Sequence, residues 1–320
     1  MASPPRRGEF RLIAELFAPL ATHPGARGLV DDCAYLAPAP GEELVLKTDA
    51  VVCGIDFMSD AMPEHVAAKA LRINLSDLAA KGATPVGYLQ TLGLPRDGSI
   101  DDAWLERYAL GLAEDQARFG IALLGGDITA TDGPFWASIT VFGTLPCGTA
   151  PLRANAKVGE RVFVTGTIGD AALGLAVRRG GYKPNAKDAA FLVDRYDLPQ
   201  PRLAQGLALR GVARAAADVS DGLVADLGHI AEASGVAIDI QAPRVPLSDA
   251  ARRAVATDAT WLPRLLAGGD DYEIVFTAAM DPPADAGAVE IGRVVAGQGV
   301  TVRDATGQPM RFARAGYEHF

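Results

Sequence analysis

Residues 63–82 read PEHVAAKALRINLSDLAAKG, and this stretch decides the fold of the first half of the chain. Pro63 suits the first turn of a helix, and Gly82 suits the position just past its end. Val66 and Ala70 are four residues apart, so they share one face and begin an apolar stripe. The sequence therefore predicts a helix here, between two strands along the chain.

The segments on either side of this helix read as strands and one further helix. Gly125, Gly126 and Asp127 would follow the end of a short buried strand, where binding sites gather in α/β proteins. This order of elements predicts an α+β sandwich with its helices on one face. The expected elements are strands at 44–58 and 86–95, a helix at 101–119 with Ser99 as N-cap, and strands at 121–124 and 135–145.

The stretch PCGTAPLRANAKVGE at 146–160 marks a change of domain. The length of 320 residues favours two domains, and we assign them to 1–148 and 149–320. The second domain is also predicted to be α/β, with a loop and one helix at 242–263. Its other predicted elements are strands at 161–164, 215–219, 236–240, 273–277 and 289–295, and helices from 170, at 187–196, at 201–210 and at 221–234.

Composition narrows the classes of function. The net charge is −9 and no block of Lys and Arg stands out, so we expect no nucleic-acid partner. The three cysteines have no paired spacing, which argues against a disulfide framework or a zinc site. The first ten residues lack the apolar core of a signal peptide, and no stretch is long enough for a membrane span. We therefore predict a cytoplasmic protein that does not bind membranes.

Six acidic motifs place Asp beside Gly, Ser, Thr or Asn, residues that form turns and let backbone approach a ligand. Clustered carboxylates repel each other, and a hard divalent cation between them is the economical remedy because it takes oxygen ligands. Carboxylates that hold Mg²⁺ against a polyphosphate are typical of phosphoryl transfer. The motifs are Asp31-Asp32, Thr48-Asp49, Asn74-Leu75-Ser76-Asp77, Gly125-Gly126-Asp127, Asp218-Val219-Ser220-Asp221-Gly222 and Gly268-Gly269-Asp270-Asp271.

Each motif also has an interpretation without a ligand. Asp77 near the end of an apolar helix face can be a cap or a solvated residue, and Asp127 can belong to a plain turn. Either Ser220 or Asp221 can be the N-cap of the helix that follows. Adjacent residues rarely face one site, so at most one residue of each Asp-Asp pair is expected to contact a ligand.

Three further features stay open at this point. Residues 166–170 follow a strand and open a helix, a context that binds an anion or simply makes a tight turn, and they do not match a P-loop. Arg153 can reach a phosphate or be an ordinary exposed charge. The four histidines carry no metal-ligand spacing and are interpreted as surface or structural residues.

Taken in order, these motifs resemble the thiamine-monophosphate kinase family of the aminoimidazole-ribonucleotide-synthetase-like superfamily. The resemblance runs nearly from end to end, and it is the joint order and spacing that makes it specific. It is carried by Gly8-Glu9-Phe10, Asp31-Asp32-Cys33-Ala34, Thr48-Asp49, Lys69-Ala70-Leu71, Asn74-Leu75-Ser76-Asp77, Gly82-Ala83-Thr84-Pro85, Gly125-Gly126-Asp127, Val164-Thr165-Gly166-Thr167-Ile168-Gly169-Asp170, Asp218-Val219-Ser220-Asp221-Gly222-Leu223, Gly268-Gly269-Asp270-Asp271-Tyr272-Glu273 and Gly316-Tyr317-Glu318-His319-Phe320.

The resemblance implies a two-domain synthetase-like fold, with N-terminal sheets of two subunits joined into a barrel and a C-terminal α/β sandwich. It implies direct in-line transfer of phosphate from ATP to thiamine monophosphate, with Mg²⁺, in a homodimer. The implied Mg²⁺ ligands are Asp32, Thr48, Asp49, Asp77, Asp127, Asp218 and Asp221. The implied ATP contacts are Gly126, Asp127, Arg153 and Ser220. The implied catalytic residues are Asp49, Asp77, Asp127 and Asp218. The residues implied to contact the substrate are Asp56, Asp270 and Tyr317.

The substrate side departs from the family pattern. Asp56 stands where the family usually has His, and Asp270 stands where it usually has Glu. Two other hypotheses therefore accompany the kinase: a related ATP-dependent synthetase or ligase with a different substrate, and a metal- or nucleotide-binding module without turnover. Coupled ADP release with a panel of phosphorylated acceptors separates the first two, and ATP consumption abolished by chelation excludes the third.

Overall fold

The structure is a computed structural model that describes residues 7–317. The chain divides into two compact units, a first unit of residues 7–78 and 84–147 and a second unit of residues 79–83 and 148–317. The last three residues of the C-terminal motif quoted above lie outside the described residues. No helix within 7–317 combines the length and the apolar character needed to span a bilayer.

The first unit is built on a four-stranded sheet in the order β1-β4-β2-β3. Strands β2 and β3 run parallel, whereas β4 is antiparallel to both β1 and β2. Short helical turns precede the sheet, beginning with α1 at Glu9–Leu12. The strands are β1 Glu42–Val52, β2 Thr84–Pro95, β3 Ala122–Thr131 and β4 Trp136–Pro146.

Two helices, α2 Pro63–Ala80 and α3 Asp102–Phe119, pack beside each other on one face of this sheet. A buried ion pair joins them, with Nη2 of Arg72 2.7 Å from Oδ1 of Asp115. Tyr108 of α3 donates to the Gln90 side chain on β2. The predicted helix that begins at Pro63 and ends before Gly82 and the layered α+β arrangement of this unit are confirmed.

The opposite face of the sheet is open. Leu44 and Leu46 alternate along β1 with half-buried residues and are 37% and 57% exposed, and Leu89 on β2 is 36% exposed. A strand that alternates in this way buries one face and presents the other, so this face carries apolar surface that the helices do not cover.

The second unit is built on a six-stranded sheet in the order β10-β7-β9-β5-β8-β6. All its pairings are antiparallel except that of β10 with β7. The strands are β5 Arg161–Thr165, β6 Ala215–Asp218, β7 Ala237–Gln241, β8 Ile274–Ala278, β9 Ala288–Val295 and β10 Gly299–Arg303. The helices are α4 Asp170–Arg178, α5 Ala186–Asp197, α6 Leu203–Ala208, α7 Leu223–Ser234, α8 Asp249–Thr257 and α9 Trp261–Leu266.

Several local predictions are wrong. Asp101 and not Ser99 caps α3, because its side chain accepts the N–H of Trp104 at 2.8 Å. The 242–263 segment holds α8 and the start of α9 rather than one helix, and β10 was not predicted. Strand β1 ends at Val52 instead of continuing to 58, since a turn follows it.

The Gly125-Gly126-Asp127 motif lies within β3 and not at the end of a strand. Parallel pairing with β2 continues through it, from Gln90 opposite Gly126 as far as Pro95 opposite Thr131. Backbone hydrogen bonds from a neighbouring strand thus override the turn preference of two glycines, which a local reading of the sequence cannot anticipate.

Candidate active site

A lysine and two aspartates meet on the helix-covered side of the first sheet. Nζ of Lys47 lies 3.1 Å from Oδ2 of Asp49 and 3.1 Å from Oδ2 of Asp77. Asp49 follows Lys47 by two positions on β1 and so shares its face, while Asp77 comes from the last turns of α2. Burial alone would lower the pKa of Lys47, but the charges of Asp77 and Asp49 outweigh it and raise that pKa. The ammonium group of Lys47 is therefore an internal cation that pairs with the carboxylates of both Asp49 and Asp77.

Thr48 belongs to the other face of the sheet. Its hydroxyl donates to the carbonyl of Ile139 at 3.2 Å and accepts from Thr140 Oγ1 at 3.0 Å. Since neighbouring residues of a strand point to opposite faces, Thr48 and Asp49 do not turn their side chains toward one point. The structure thus brings Asp49 and Asp77 together and separates Thr48 from them.

A cavity of about 660 Å³ opens on the uncovered face of the first unit. Three predicted site residues line it, Asp32, Gly126 and Asp127, together with Asp31 and the apolar side chain of Leu89. Both members of the Asp31-Asp32 pair border the cavity. Its lining therefore combines apolar side chains with carboxylates, an arrangement suited to an apolar ring that carries phosphates.

Gly126 is required by the packing of β3 on β2. A Cβ atom at this position would lie 1.8 Å from the Gln90 carbonyl oxygen, which belongs to the backbone and cannot move aside. At Gly125 the nearest atom would be Cδ2 of the Leu89 side chain at 3.3 Å. The first glycine is thus dispensable for packing, and the second is not.

In the second unit, the loop from Asp218 to Gly222 joins β6 to α7. The side chain of Asp226, in the first turn of α7, turns back to this loop. Its Oδ2 accepts the N–H groups of Asp221 at 3.1 Å and of Gly222 at 3.2 Å. Of the two interpretations of Ser220 and Asp221, capping of α7 is not observed, because Gly222 is the N-cap and Asp226 accepts the N–H groups of Asp221 and Gly222.

Negative charge accumulates around Asp226. Burial, together with the charges of Asp218 and Asp221, raises the pKa of Asp226 to about 8, although the Asp221 N–H and the charge of Arg153 oppose the rise. Asp226 has no exposed surface, and within residues 7–317 its Oδ1 has no hydrogen-bond partner. Four predicted site residues, Asp218, Ser220, Asp221 and Arg153, therefore belong to one region of the second unit.

Two predicted substrate residues join the same loop through backbone hydrogen bonds. The N–H of Asp270 donates to the Ser220 carbonyl at 2.8 Å, and the N–H of Tyr317 donates to the Asp221 carbonyl at 2.9 Å. Asp270 has φ 61° and Tyr272 has φ 52°, in the left-handed region that costs a residue with a side chain about 1–3 kcal/mol. Strain of this kind persists where surrounding bonds fix the segment.

Asp271 and Glu273 supply those bonds. The carboxylate of buried Asp271 accepts the N–H of Gly169 at 2.7 Å. Buried Glu273 accepts from Thr165 Oγ1 at 2.8 Å and from Nη2 of Arg195 at 3.0 Å. The N-terminal N–H groups of α4 thus bind an internal carboxylate, so of the two interpretations of 166–170 the tight turn is the one that the structure supports.

Asp56 has a structural partner in the first unit. It lies in the turn after β1, and its Oδ2 accepts the N–H of Val52 at 2.8 Å. This bond holds the turn where the chain leaves the strand.

Comparison with known proteins assigns the chain. Residues 30–145 match the N-terminal domain and residues 157–305 the C-terminal domain of AIR synthase related proteins. The chain is 44% identical to the thiamine-monophosphate kinase of Caulobacter vibrioides, over 95% of this chain and 90% of that protein. The chain belongs to the thiamine-monophosphate kinase family. The two-domain α/β fold expected from the resemblance is confirmed.

Solved structures of the family agree with this assignment. The thiamine-monophosphate kinase of Stenotrophomonas maltophilia K279a is 38% identical, with a TM-score of 0.77 over 86% of this chain and 89% of that one. A structure described as AaThiL complexed with AMPPCP and TMP is 29% identical, with a TM-score of 0.78 over 99% of this chain and 100% of that one.

Three residues beside the predicted site residues were not predicted: Lys47, Asp226 and His229. A ring nitrogen of His229 lies within 4.8 Å of carboxylate oxygens of Asp221 and Asp226. Lys47 precedes Asp49 by two positions, and Asp226 precedes His229 by three, spacings that place each pair on one face of a strand or helix. The alternation of exposed and half-buried residues along β1 was enough to predict that Lys47 and Asp49 share one face. Asp226 and His229 look like ordinary polar positions of an amphipathic helix until α7 is folded against the loop before it.

Proposed function

We propose that this chain transfers the γ-phosphoryl group of ATP to the phosphate of thiamine monophosphate, which gives ADP and thiamine diphosphate. The observation that carries this proposal is the 44% identity to a thiamine-monophosphate kinase over 95% of the chain. The relative described with AMPPCP and TMP supports the same pair of ligands, because AMPPCP is an ATP analogue. A cytoplasmic location, where ATP is supplied, is part of the proposal.

Mg²⁺ fits the first unit. The ammonium group of Lys47 already occupies a point within 3.1 Å of two carboxylates, so the side chains converge on a cation. Oxygen ligands are those that Mg²⁺ prefers. We assign Asp49 and Asp77 as one pair of ligands, and Asp32 and Asp127 as carboxylates of the cavity. When bound, Mg²⁺ supplies positive charge that neutralises the phosphates of ATP.

The cavity of the first unit is our proposed place for ATP. Gly126 exposes backbone at the rim without a side chain, and Asp127 next to it supplies a carboxylate for a cation bound to phosphates. Thr48 remains a predicted ligand whose hydroxyl is engaged with Thr140 and Ile139.

In the second unit, we assign Asp218 and Asp221 to cation binding and Arg153 and Ser220 to the nucleotide. Asp270 and Tyr317, attached to the same loop, are the proposed contacts of the acceptor. This chain's residues would act by positioning and charge neutralisation, with no covalent intermediate, as in kinases that transfer the phosphoryl group directly. The fixed backbone of Asp270 places its carboxylate before the substrate arrives.

The direct test is formation of thiamine diphosphate from ATP and thiamine monophosphate, with Mg²⁺ present and after its removal by EDTA. We expect product only with Mg²⁺ and recovery when Mg²⁺ is restored. A panel of other phosphorylated acceptors, followed by ADP release, runs in parallel. ADP release with another acceptor and none with thiamine monophosphate would favour a related synthetase or ligase, and no ATP consumption at all would favour a binding module.

We also propose a homodimer formed through the open sheet face of the first unit. The exposed Leu46 supports it, because it lies on this face outside the lining of the cavity and an exposed apolar side chain gains from burial against a second copy. We expect light scattering at micromolar concentration to give a dimer mass, and Leu46→Glu to give a monomer. Leu110→Glu on α3, with similar exposure, is the matched control and should remain dimeric. A monomeric wild-type protein would overturn the proposal.

A further inference from the structure

Three side chains of the second unit are arranged as metal ligands that the proposed kinase reaction does not use together. Asp221, Asp226 and His229 each offer one ligand atom, and these three atoms lie within 4.8 Å of one another. Asp226 and His229 are three residues apart on α7 and so share a face, and Asp221 comes from the preceding loop.

Asp226 supplies a second, independent observation. It has no exposed surface, and its Oδ2 is occupied by the N–H groups of Asp221 and Gly222. Its Oδ1 is buried and has no hydrogen-bond partner within residues 7–317. A buried carboxylate oxygen without a partner loses its solvation without compensation unless it is protonated or meets a cation.

The imidazole identifies the class of ion. Mg²⁺ prefers oxygen ligands, whereas Mn²⁺, Zn²⁺ and other first-row transition ions accept imidazole nitrogen together with carboxylate oxygen. We propose that Asp221, Asp226 and His229 form a mixed nitrogen–oxygen site for a divalent transition-metal ion. A small closing movement of Asp221 and His229, the two less buried ligands, brings the ligand atoms to bond lengths of about 2.0–2.2 Å.

The site keeps an open side. Asp221 and His229 border a cavity of about 670 Å³ that Gly316 and Tyr317 also line. Three protein ligands leave coordination positions free toward this cavity, as in metal sites that bind a further ligand. Binding of the ion needs neither ATP nor thiamine monophosphate, so this inference goes beyond the proposed function and can be tested without turnover.

Pulsed EPR of Mn²⁺ bound to the full chain, without nucleotide or thiamine phosphate, tests the site. Nitrogen coordinated to Mn²⁺ modulates the electron-spin echo, whereas carboxylate-only sites give no such nitrogen modulation. We expect an imidazole nitrogen signal in the wild-type protein and its loss in His229→Gln, an exposed position where the change should not affect folding. His65→Gln, at a half-buried histidine of the first unit, is the matched control and should keep the signal.

Two further results decide the role of Asp226. Asp226→Asn keeps an oxygen acceptor for the loop but removes the charge, so Mn²⁺ affinity at the nitrogen-containing site should fall at least ~10-fold. The melting temperature reports whether that variant folds, and His229→Gln decides the proposal if it does not. A protein saturated with Mn²⁺ that shows no nitrogen modulation, or a modulation that survives in His229→Gln, would overturn the site. Either result leaves the kinase proposal untouched.

Discussion

The two acidic clusters differ in how their negative charge is offset. In the first unit, Nζ of Lys47 lies 3.1 Å from carboxylate oxygens of both Asp49 and Asp77. In the second unit, Arg153 offsets only part of the charge, and burial with the neighbouring carboxylates raises the pKa of Asp226 to about 8. The first cluster is thus partly neutralised by its own cation, whereas in the second the repulsion among carboxylates favours either a protonated Asp226 or a bound cation.

In the sequence alone, an acidic cluster that contains its own cation looks like an acidic cluster that needs a bound one. Both clusters appear as Asp beside Gly, Ser or Thr, yet one contains its own cation. The number of carboxylates therefore does not measure the demand for metal. The local balance of charge does, and it becomes visible only when the strands and helices bring the groups together.

The largest expected effect comes from removing a carboxylate of the first unit. Asp77→Asn and Asp127→Asn should each lower kcat by about 10²–10³-fold, because each removes charge that helps to neutralise the triphosphate through Mg²⁺. The melting temperature should change little. Asp132→Asn, at a 93% exposed side chain paired with Arg96, is the control and should retain wild-type kcat. Wild-type turnover in both variants would remove these residues from the catalytic set.

A pair of glycine variants tests whether the rim of the cavity is fixed by packing. Gly126→Ala should lower the free energy of unfolding by about 1–3 kcal/mol, since its Cβ meets the backbone of Gln90. Gly125→Ala should cost less, because the Leu89 side chain can move. Chemical denaturation of both variants measures the difference. An equal free energy of unfolding for the two variants would show that the backbones of β3 and β2 are not packed so closely at Gly126.

Lys47→Met tests directly whether the ammonium group of Lys47 offsets the negative charge of the first cluster. A divalent ion would no longer have to displace the ammonium group, so we expect Mg²⁺ to bind the first unit about 10-fold more tightly by calorimetry. Without Mg²⁺ the melting temperature should fall, because Asp49 and Asp77 are left to repel each other. Lys183→Met, at an exposed lysine, should change neither quantity. Unchanged Mg²⁺ affinity in Lys47→Met would mean that the ammonium does not occupy the place of an ion.

The smallest expected effect concerns Asp56. An ionised Asp places like charge near a phosphate, so Asp56→His should lower KM for thiamine monophosphate by a few-fold, on the order of 1 kcal/mol or less. Asp56→Asn separates charge from structure, since its amide oxygen can still accept the Val52 N–H. A lower kcat/KM in Asp56→His alone would identify the turn as the role of Asp56. A lower kcat/KM in both would indicate that its charge binds the substrate or a cation.

Much of the fold could be predicted because its signals are local. Pro63, Gly82 and the apolar stripe between them are enough to place α2, and the alternation of β1 places a half-covered strand. What escaped prediction depends on partners distant in sequence. Strand β3 runs through two glycines because β2 pairs with it, and β10 is a strand because β7 lies beside it.

In the candidate site, too, local features could be predicted and features that depend on distant residues could not. The motifs around Asp77, Asp127 and Asp221 could be identified from residue type and spacing. The opposite directions of Thr48 and Asp49 follow from strand geometry, which the motif alone conceals. The role of Asp226 could not be predicted, because it depends on a buried carboxylate that turns back to satisfy two N–H groups of another segment.

The central claim is that each unit holds a cation site built from its own carboxylates. Counting bound Mn²⁺ by EPR titration of the wild-type protein, Asp77→Asn, Asp221→Asn and the Asp132→Asn control tests it most directly. The account predicts that Asp77→Asn and Asp221→Asn each bind fewer ions per chain than the wild type, and that Asp132→Asn binds the same number. Wild-type stoichiometry and affinity in both Asp77→Asn and Asp221→Asn would contradict it.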